Sequence, residues 1–255
     1  TATPSLANSF ATEIYTGNGG TKSINTGTSP YFAPDFTWTK SRNGVNYHQL
    51  FDSVRGATKA IESDTTFAES TEPTALTAFD TDGFSLGSSG NVNSSGTTYV
   101  AWNWKAGGTP SINTDGTTTS IVSANQAAGF SIVEYTGPST LNPGHGLGGT
   151  PELIIVKGTS TTSDWMVYNS FNGTGGYLSF TRNDQGGGTG TDAWQANANQ
   201  FSTVNATSFT TSDTGASVTY IAYCFKSISG YSKVGSYTGG GNTNPTINVG
   251  ITPTW

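Results

Sequence analysis

An internal repeat is the feature that most constrains how this chain can fold. The tripeptide Tyr-Thr-Gly occurs three times, at residues 15–17, 135–137 and 237–239. An Asn-x-Gly element follows each copy, at 25–27, 142–144 and 248–250. A proline then opens a further segment, at 34–38, 151–155 and 253–255. The first two copies also close alike, as YVAWNWK at 99–105 and YIAYCFK at 220–226. Matches in the same order indicate one supersecondary unit repeated along the chain.

The repeat predicts how the chain divides. We expect these segments: a lead-in at 1–9, a first unit at 10–106, a connector at 107–128, a second unit at 129–229 and the start of a third at 230–255. The connector contains Ile-Val-Ser-Ala at 121–124, which predicts a hairpin. The third copy stops at Trp255, in the place of Phe36 and Leu153, so we interpret the chain as a fragment of a longer tandem array.

Composition and periodicity favour an all-β fold. Hydrophobic residues make up 33% of the chain, aromatic residues 12% and charged residues 10%. Disorder usually combines low hydrophobicity with high net charge and few aromatics, and the net charge here is only −6. In the segment 99–105 both faces of the alternating pattern carry apolar side chains, which is typical of a central strand. We predict tandem β-sandwich units, jelly-roll or lectin-like, with a helical turn or two at most near 57–62.

Charge and cysteine content exclude several function classes. Ten Lys and Arg residues are too few for clustered phosphate contacts, so we expect no nucleic-acid partner. No apolar run approaches the roughly 20 residues of a spanning helix, so we expect no membrane insertion. The single cysteine excludes an internal disulfide framework.

Patterns associated with catalysis occur, but each lacks its structural context. Residues 83–87 spell G-x-S-x-G, but a Ser/Gly/Asn-rich stretch that predicts a loop follows them, and residues 144–149 resemble a dinucleotide loop but lead into a predicted strand. Cys224 falls within a strand, as a core thiol would. The acidic residues at 62–72 could serve a glycosidase, but a solvated loop is the favoured interpretation. Asp80 and Asp82 lack the further ligands of a calcium loop. We therefore predict no catalytic residue, no metal site and no cofactor.

Carbohydrate contact is the binding chemistry that the residues leave open, since aromatic faces stack on sugar rings. The candidate glycan contacts lie near polar loops: Tyr31, Tyr47, Trp165, Tyr168, Tyr177 and Trp194. Most aromatic residues of β-sandwiches belong to the core, and the sequence does not choose among these six.

Several strings of this chain resemble a repeat domain of marine bacteriophage structural proteins, found in tandem in tail-fibre-like or lectin-like virion proteins of cyanophages and similar phages. The strings are PDFTWTKSR at 34–42, HQLFDSVRGA at 48–57, DGFSLG at 82–87, VAWNWKAGG at 100–108 and GFSIVEYTG at 129–137. The second unit departs from the first at 163–168, where SDWMVY replaces the HQLFD string.

The resemblance implies a non-enzymatic component of the virion exterior, such as a tail fibre, appendage or capsid decoration, for host attachment or particle structure. Other virion proteins, further copies of the chain (a trimer, for example) and a host surface glycan are the partners it implies. The alternatives are a carbohydrate-binding lectin module of a bacterial adhesin and, less favoured, a polysaccharide depolymerase.

Overall fold

The protein is almost entirely β in the computed structural model, which describes residues 9–27, 29–137, 139–180, 195–196, 200–212, 217–238 and 246–252. Antiparallel pairing joins the named strands throughout, and α1 (Gly90–Asn93) is one short turn of helix. The predicted all-β, sandwich-type fold is confirmed. No helix of the described residues is long and apolar enough to span a membrane.

The first half of the chain, residues 9–106, forms two sheets that pack on each other. Its strands are β1 (Phe10–Thr16), β2 (Lys22–Asn25), β3 (Phe36–Ser41), β4 (Gln49–Asp52), β5 (Lys59–Ala60), β6 (Ser70–Thr71), β7 (Leu76–Asp80), β8 (Gly83–Leu86) and β9 (Thr98–Trp104). The large sheet has the order β1-β9-β3-β4 and the small sheet the order β2-β8-β7, with β5 paired to β6. Side chains of both sheets, such as Tyr99 and Phe84, fill the core between them.

The second half, residues 107–229, has the same arrangement with one addition. Its strands are β10 (Ser111–Asn113), β11 (Ser120–Asn125), β12 (Phe130–Gly137), β13 (Thr140–Leu141), β14 (Leu153–Gly158), β15 (Trp165–Asn169), β16 (Gly176–Tyr177), β17 (Gln195–Ala196), β18 (Thr203–Val204), β19 (Phe209–Ser212) and β20 (Val218–Phe225). The large sheet has the order β10-β11-β12-β20-β14-β15, the small sheet the order β13-β19-β18, and β16 pairs with β17.

The sequence repeat corresponds to a repeat of topology. The tyrosine of the opening string stacks on the tyrosine of the closing string in both halves: Tyr15 on Tyr99 at 5.2 Å between ring centroids, and Tyr135 on Tyr220 at 5.3 Å. β9 and β20 lie centrally in their sheets, as the two-faced apolar pattern predicts.

The glycine of the Tyr-Thr-Gly string is explained in the first half. A Cβ atom on Gly17 would collide with the backbone carbonyl oxygen of Ser94, whereas one on Gly137 would meet only the end of the Leu141 side chain, which can shift. In the first half the motif therefore marks a close approach of two chain segments at the end of the opening strand.

The two segments predicted as connector and third unit differ in structure. Residues 107–128 contain β10 and β11, which pair with each other and continue the large sheet through β12. Among the described residues after β20, an isolated bridge joins Ile228 to Ser232 and no further strand forms. Residues 57–62, expected to include a helical turn, instead form turns followed by β5.

A third core lies between the two large sheets, so the molecule has four layers. Phe36 of the first half stacks on Tyr223 of the second with 4.2 Å between ring centroids, and Trp104 contacts Phe130 and Phe225 at 6.3 and 6.2 Å. Because burial of one large apolar side chain contributes about 1.5–3 kcal/mol, this core joins the halves strongly.

A buried ion pair sits within this contact. Arg55 Nε lies 2.6 Å from Asp52 Oδ2, and the hydroxyl of Tyr223 donates to the same oxygen at 2.8 Å. Burial by itself would lower the pKa of Arg55, but Asp52, Tyr223 and Glu69 outweigh it and keep that pKa above its ordinary value. Arg55 is therefore charged, and its charge is balanced inside the molecule.

The acidic loop at 62–72 is only partly the solvated loop that the sequence favours: Asp64 is exposed, but other residues of the loop contact the second half. The indole N–H of Trp165 donates to the carbonyl oxygen of Glu62 at 2.8 Å, and the amide of Glu69 donates to the carbonyl oxygen of Thr159 at 2.8 Å. Glu69 also pairs with Arg55 at 3.2 Å. The loop packs across the second half through its backbone groups, while its carboxylates bond within the first half, as Glu69 does to Arg55. Distance along the sequence conceals this contact between the halves.

We expect Arg55→Met to lower the free energy of unfolding by about 3–5 kcal/mol, because it leaves the carboxylate of Asp52 buried without its charged partner. Urea unfolding followed by fluorescence measures the loss. Lys59→Met is the matched control, since Lys59 lies 3.5 Å from Glu69 on a partly exposed part of the same network and should cost less than about 1 kcal/mol. Equal losses for the two variants would contradict this account.

Candidate functional site

A cleft of about 900 Å³ opens at one side of the contact between the two large sheets. Its walls come from both halves and from the segment after β20. The apolar lining includes Phe10, Trp38, Trp104, Phe130, Leu153, Phe225, Tyr231 and Ile251. Central-core residues such as Phe36, Ile155 and Tyr223 also line it, so the cleft borders the central core.

The rings of the cleft hold one another in place. Trp104 stacks on Phe36 at 5.2 Å and lies 5.0 Å from Phe10, while Trp38 meets Phe36 edge-on at 6.4 Å. Trp38 and Trp104 are both partly exposed. Neighbouring rings in fixed, tilted positions form an apolar platform that can accept a flat ligand face.

Polar groups line one side of the cleft. Lys226 Nζ donates to the carbonyl oxygen of Leu147 at 3.2 Å, and Ser232 and Lys233 lie on the same wall. Burial raises the pKa of Tyr231 to about 12, so its hydroxyl is protonated at neutral pH and available as a donor. The cleft thus combines aromatic faces with ammonium and hydroxyl donors.

His48 orients Trp38 at the cleft wall. The indole N–H of Trp38 donates to His48 Nδ1 at 2.8 Å, which requires the ring nitrogen to be unprotonated. Burial lowers the pKa of His48, with Asp64 opposing and Lys40 adding to the shift. His48 is therefore neutral at pH 7 and acts as an acceptor that fixes the tryptophan.

Three of the aromatic residues predicted as glycan contacts are core residues. Trp165 is 0% exposed and belongs to the central core, while Tyr168 and Tyr177 are buried in the core of the second half. This corrects the expectation for these three: they lie on strands whose polar neighbouring loops suggested exposure, but packing between sheets covers the rings.

Two other predicted contacts are exposed but lie apart. Tyr31 is 46% exposed in the loop before β3, and Tyr47 is 50% exposed in the turn after β3. The two loops flank opposite ends of β3, a strand of six residues and roughly 20 Å. Neither lines the cleft. Trp194 lies outside the described residues.

Sequence reasoning missed the cleft because Trp38 and Trp104 were interpreted only as strand residues. The signal was present, since Trp102 and Trp104 share one face of β9 while Tyr99 and Ala101 fill the other. A sheet that carries large apolar residues on both faces must cover the second face with something, which here is the other half of the chain.

The catalytic patterns form no catalytic constellation in the described ranges. Ser85 lies on β8 and its hydroxyl donates to Asp80 at 2.7 Å. Cys224 is buried, which raises the pKa of its thiol, as expected for a core residue. No group of three His, Cys, Asp or Glu side chains in these ranges is placed to hold a metal ion.

Lys157 is a buried lysine that sequence inspection did not single out. Its Nζ donates to the carbonyl oxygens of Thr66, Gly158 and Ser163, at 3.2, 3.1 and 2.9 Å. Burial lowers its pKa to about 8, with Asp164 opposing. Because the ammonium group donates to these three carbonyl oxygens, Lys157 links the acidic loop to the second half. It does not offer a free amine as a nucleophile.

His145 is buried in a setting that requires the neutral ring. The amide of Leu147 donates to its Nδ1 at 3.2 Å, and its Nε2 lies 3.1 Å from the carbonyl oxygen of Asn205. Burial lowers the pKa of His145 below 6.5, against smaller opposing effects of Asn205 and Asp115. Protonation would place a ring N–H against the amide of Leu147.

We expect His145 to make stability fall in mild acid. The folded-state pKa lies below the unfolded value, so the unfolded chain takes up the proton first as the pH falls through about 6.5. The free energy of unfolding of the wild type should exceed that of His145→Gln by a constant amount above this pH. Below it the difference should decrease, by at most about 1.4 kcal/mol per pH unit. Urea unfolding of both proteins between pH 8 and pH 5 measures this difference. Subtracting the two curves removes the contributions of the other titrating groups, which both proteins share. A pH-independent difference would contradict the assignment.

Comparison with known proteins identifies a family but no function. Residues 5–255 match the family described as domain of unknown function DUF7483, so the match spans both halves and the segment that follows them. No curated protein and no solved structure matches the chain. Because the match covers nearly the whole sequence, the chain belongs to the DUF7483 family.

Proposed function

We propose that this chain is a non-enzymatic surface component of a phage particle, acting as a fibre, appendage or capsid-decoration module in host attachment or particle structure. The observation that carries the proposal is the central core, which fuses two repeated sandwich units into one four-layer body. A module that projects from a particle has to resist bending and partial unfolding, and a shared core serves both needs.

Contacts around the central core support the same role. Arg55 is held by Asp52, Glu69 and Tyr223, and Lys157 of the second half binds a carbonyl oxygen of the loop of the first. These bonds fix the orientation of the halves as well as their association, since charged groups bond only in restricted geometries. The resemblance of the repeat strings to marine bacteriophage structural proteins supports the proposal that such a body lies on a virion.

The location of the chain on an intact particle tests this proposal. We expect an antibody against the purified chain to label the exterior of phage particles whose genome encodes it. Cryo-electron microscopy should show a density with four β layers at that position. A tail-tip location together with binding to host cells would favour attachment, and a shell location would favour structure or decoration. Secretion by a bacterium with no particle association would contradict the proposal.

Glycan binding is a second candidate function, favoured by the partly exposed tryptophans of the cleft. Trp38 and Trp104 offer ring faces to the apolar side of a sugar, and Lys226, Ser232 and Lys233 lie beside them for its hydroxyl or acidic groups. This candidate does not require the predicted contacts at Tyr31 and Tyr47. It is compatible with the first proposal, because a particle module can bind a host glycan.

We expect a glycan that enters the cleft to change tryptophan fluorescence, and Trp38→Leu to weaken its binding about tenfold or more, which is about 1.4 kcal/mol. The leucine keeps an apolar side chain in the cleft wall. Tyr47→Ala is the control, because this exposed ring lies outside the cleft. A glycan array identifies the ligand and a fluorescence titration gives the affinities. Loss of binding with Tyr47→Ala alone would move the contact to the exposed loops.

A further inference from the structure

The opening strand of each half lies in a different setting. In the second half, β12 pairs with β20 on one side and with β11 on the other. In the first half, β1 pairs with β9 on one side, and no strand of the described residues pairs with its other side. The repeat therefore shows directly that this edge of the fold accepts an antiparallel strand.

The edge of β1 that no described strand pairs with has a defined set of backbone groups. The carbonyl oxygen of Ser9 accepts from the amide of Lys105, and the amide of Gly17 donates to the carbonyl oxygen of Thr97. Odd-numbered residues thus point their backbone groups toward β9. In an antiparallel ladder the alternate residues point the other way, so those of Thr12, Ile14 and Thr16 point to this edge.

The sequence of β1 offers little protection against pairing. The strand is seven residues long and contains no proline, lysine or arginine. Its one charged side chain, Glu13, accepts a hydrogen bond from the amide of Gly27. Ile14 is 63% exposed at this edge. At the equivalent position the second half has Glu134, which lies opposite Ile121 of the added strand β11. An apolar residue at an unprotected edge favours an apolar partner across it.

We propose that β1 pairs antiparallel with β1 of a second copy of this chain, about a two-fold axis that passes midway between the two Ile14 residues. This register places Ile14 against its own counterpart and Thr12 opposite Thr16, so that all the outward backbone groups of these residues are paired. It also places Glu13 opposite Tyr15 of the other copy. In the alternative register centred on Glu13, the two Glu13 carboxylates would face each other, which is unfavourable. A two-fold pair is the commonest arrangement of identical chains. The β1-containing sheets of the two copies then form one continuous sheet. This inference does not depend on the proposed function.

Analytical ultracentrifugation of three proteins tests the inference. The wild type should sediment as a dimer at micromolar concentration, and Ile14→Lys should sediment as a monomer, because two ammonium groups would meet on the axis. Ile112→Lys is the matched control: Ile112 is 75% exposed on β10, an edge strand of the second half, and its substitution should leave the dimer intact. Far-UV circular dichroism checks that each variant keeps the fold.

A crosslinking experiment tests the register itself. Ile14→Cys should form a covalent dimer on mild oxidation, while Ile112→Cys should not, and the native Cys224 is buried and does not interfere. A wild type that stays monomeric throughout the concentration series would overturn the inference. So would dissociation by Ile112→Lys with no effect of Ile14→Lys, because the edge in use would then be β10.

Discussion

The stacking of Phe36 on Tyr223, with the buried pair of Arg55 and Asp52 beside it, is the interaction on which the rest of the structure depends. Each large sheet carries apolar side chains on both faces, so one sandwich core per unit cannot cover them all. Face-to-face packing of the two sheets solves this problem. The units of the repeat are thus parts of one body, and the ion pair limits how that body can be oriented because an unpaired charge there is costly.

The cleft and the edge of β1 follow from the same arrangement. Side chains of both large sheets and of the segment after β20 line the cleft around Trp38 and Trp104, beside the central core. The hairpin of β10 and β11 completes one edge of the second half, and the matching edge of the first half has no such partner among the described residues. Among the described residues, repetition with small differences therefore leaves one place suited to a ligand and one suited to a strand.

Local patterns predicted the fold well and the site poorly. The alternation of Tyr99 and Ala101 against Trp102 and Trp104 predicts a central strand, and the structure has one, because strand geometry depends on period-two burial. The burial of Trp165 and the contacts of the acidic loop depend on the other half of the chain, more than 90 residues away in the case of the bond from Trp165 to Glu62. No local pattern encodes such a contact, so a glycan contact was predicted at Trp165, whose ring packs in the core between the halves.

Native-state hydrogen exchange of Phe84→Ala tests the central claim most directly. Phe84 is buried in the core of the first half alone and does not touch the central core. If the two halves form one cooperative unit, the loss of about 3–5 kcal/mol expected for this substitution should appear equally in the most protected amides of β9 and of β20. Faster exchange confined to β9, with β20 unchanged, would show that the halves open independently and would contradict the account.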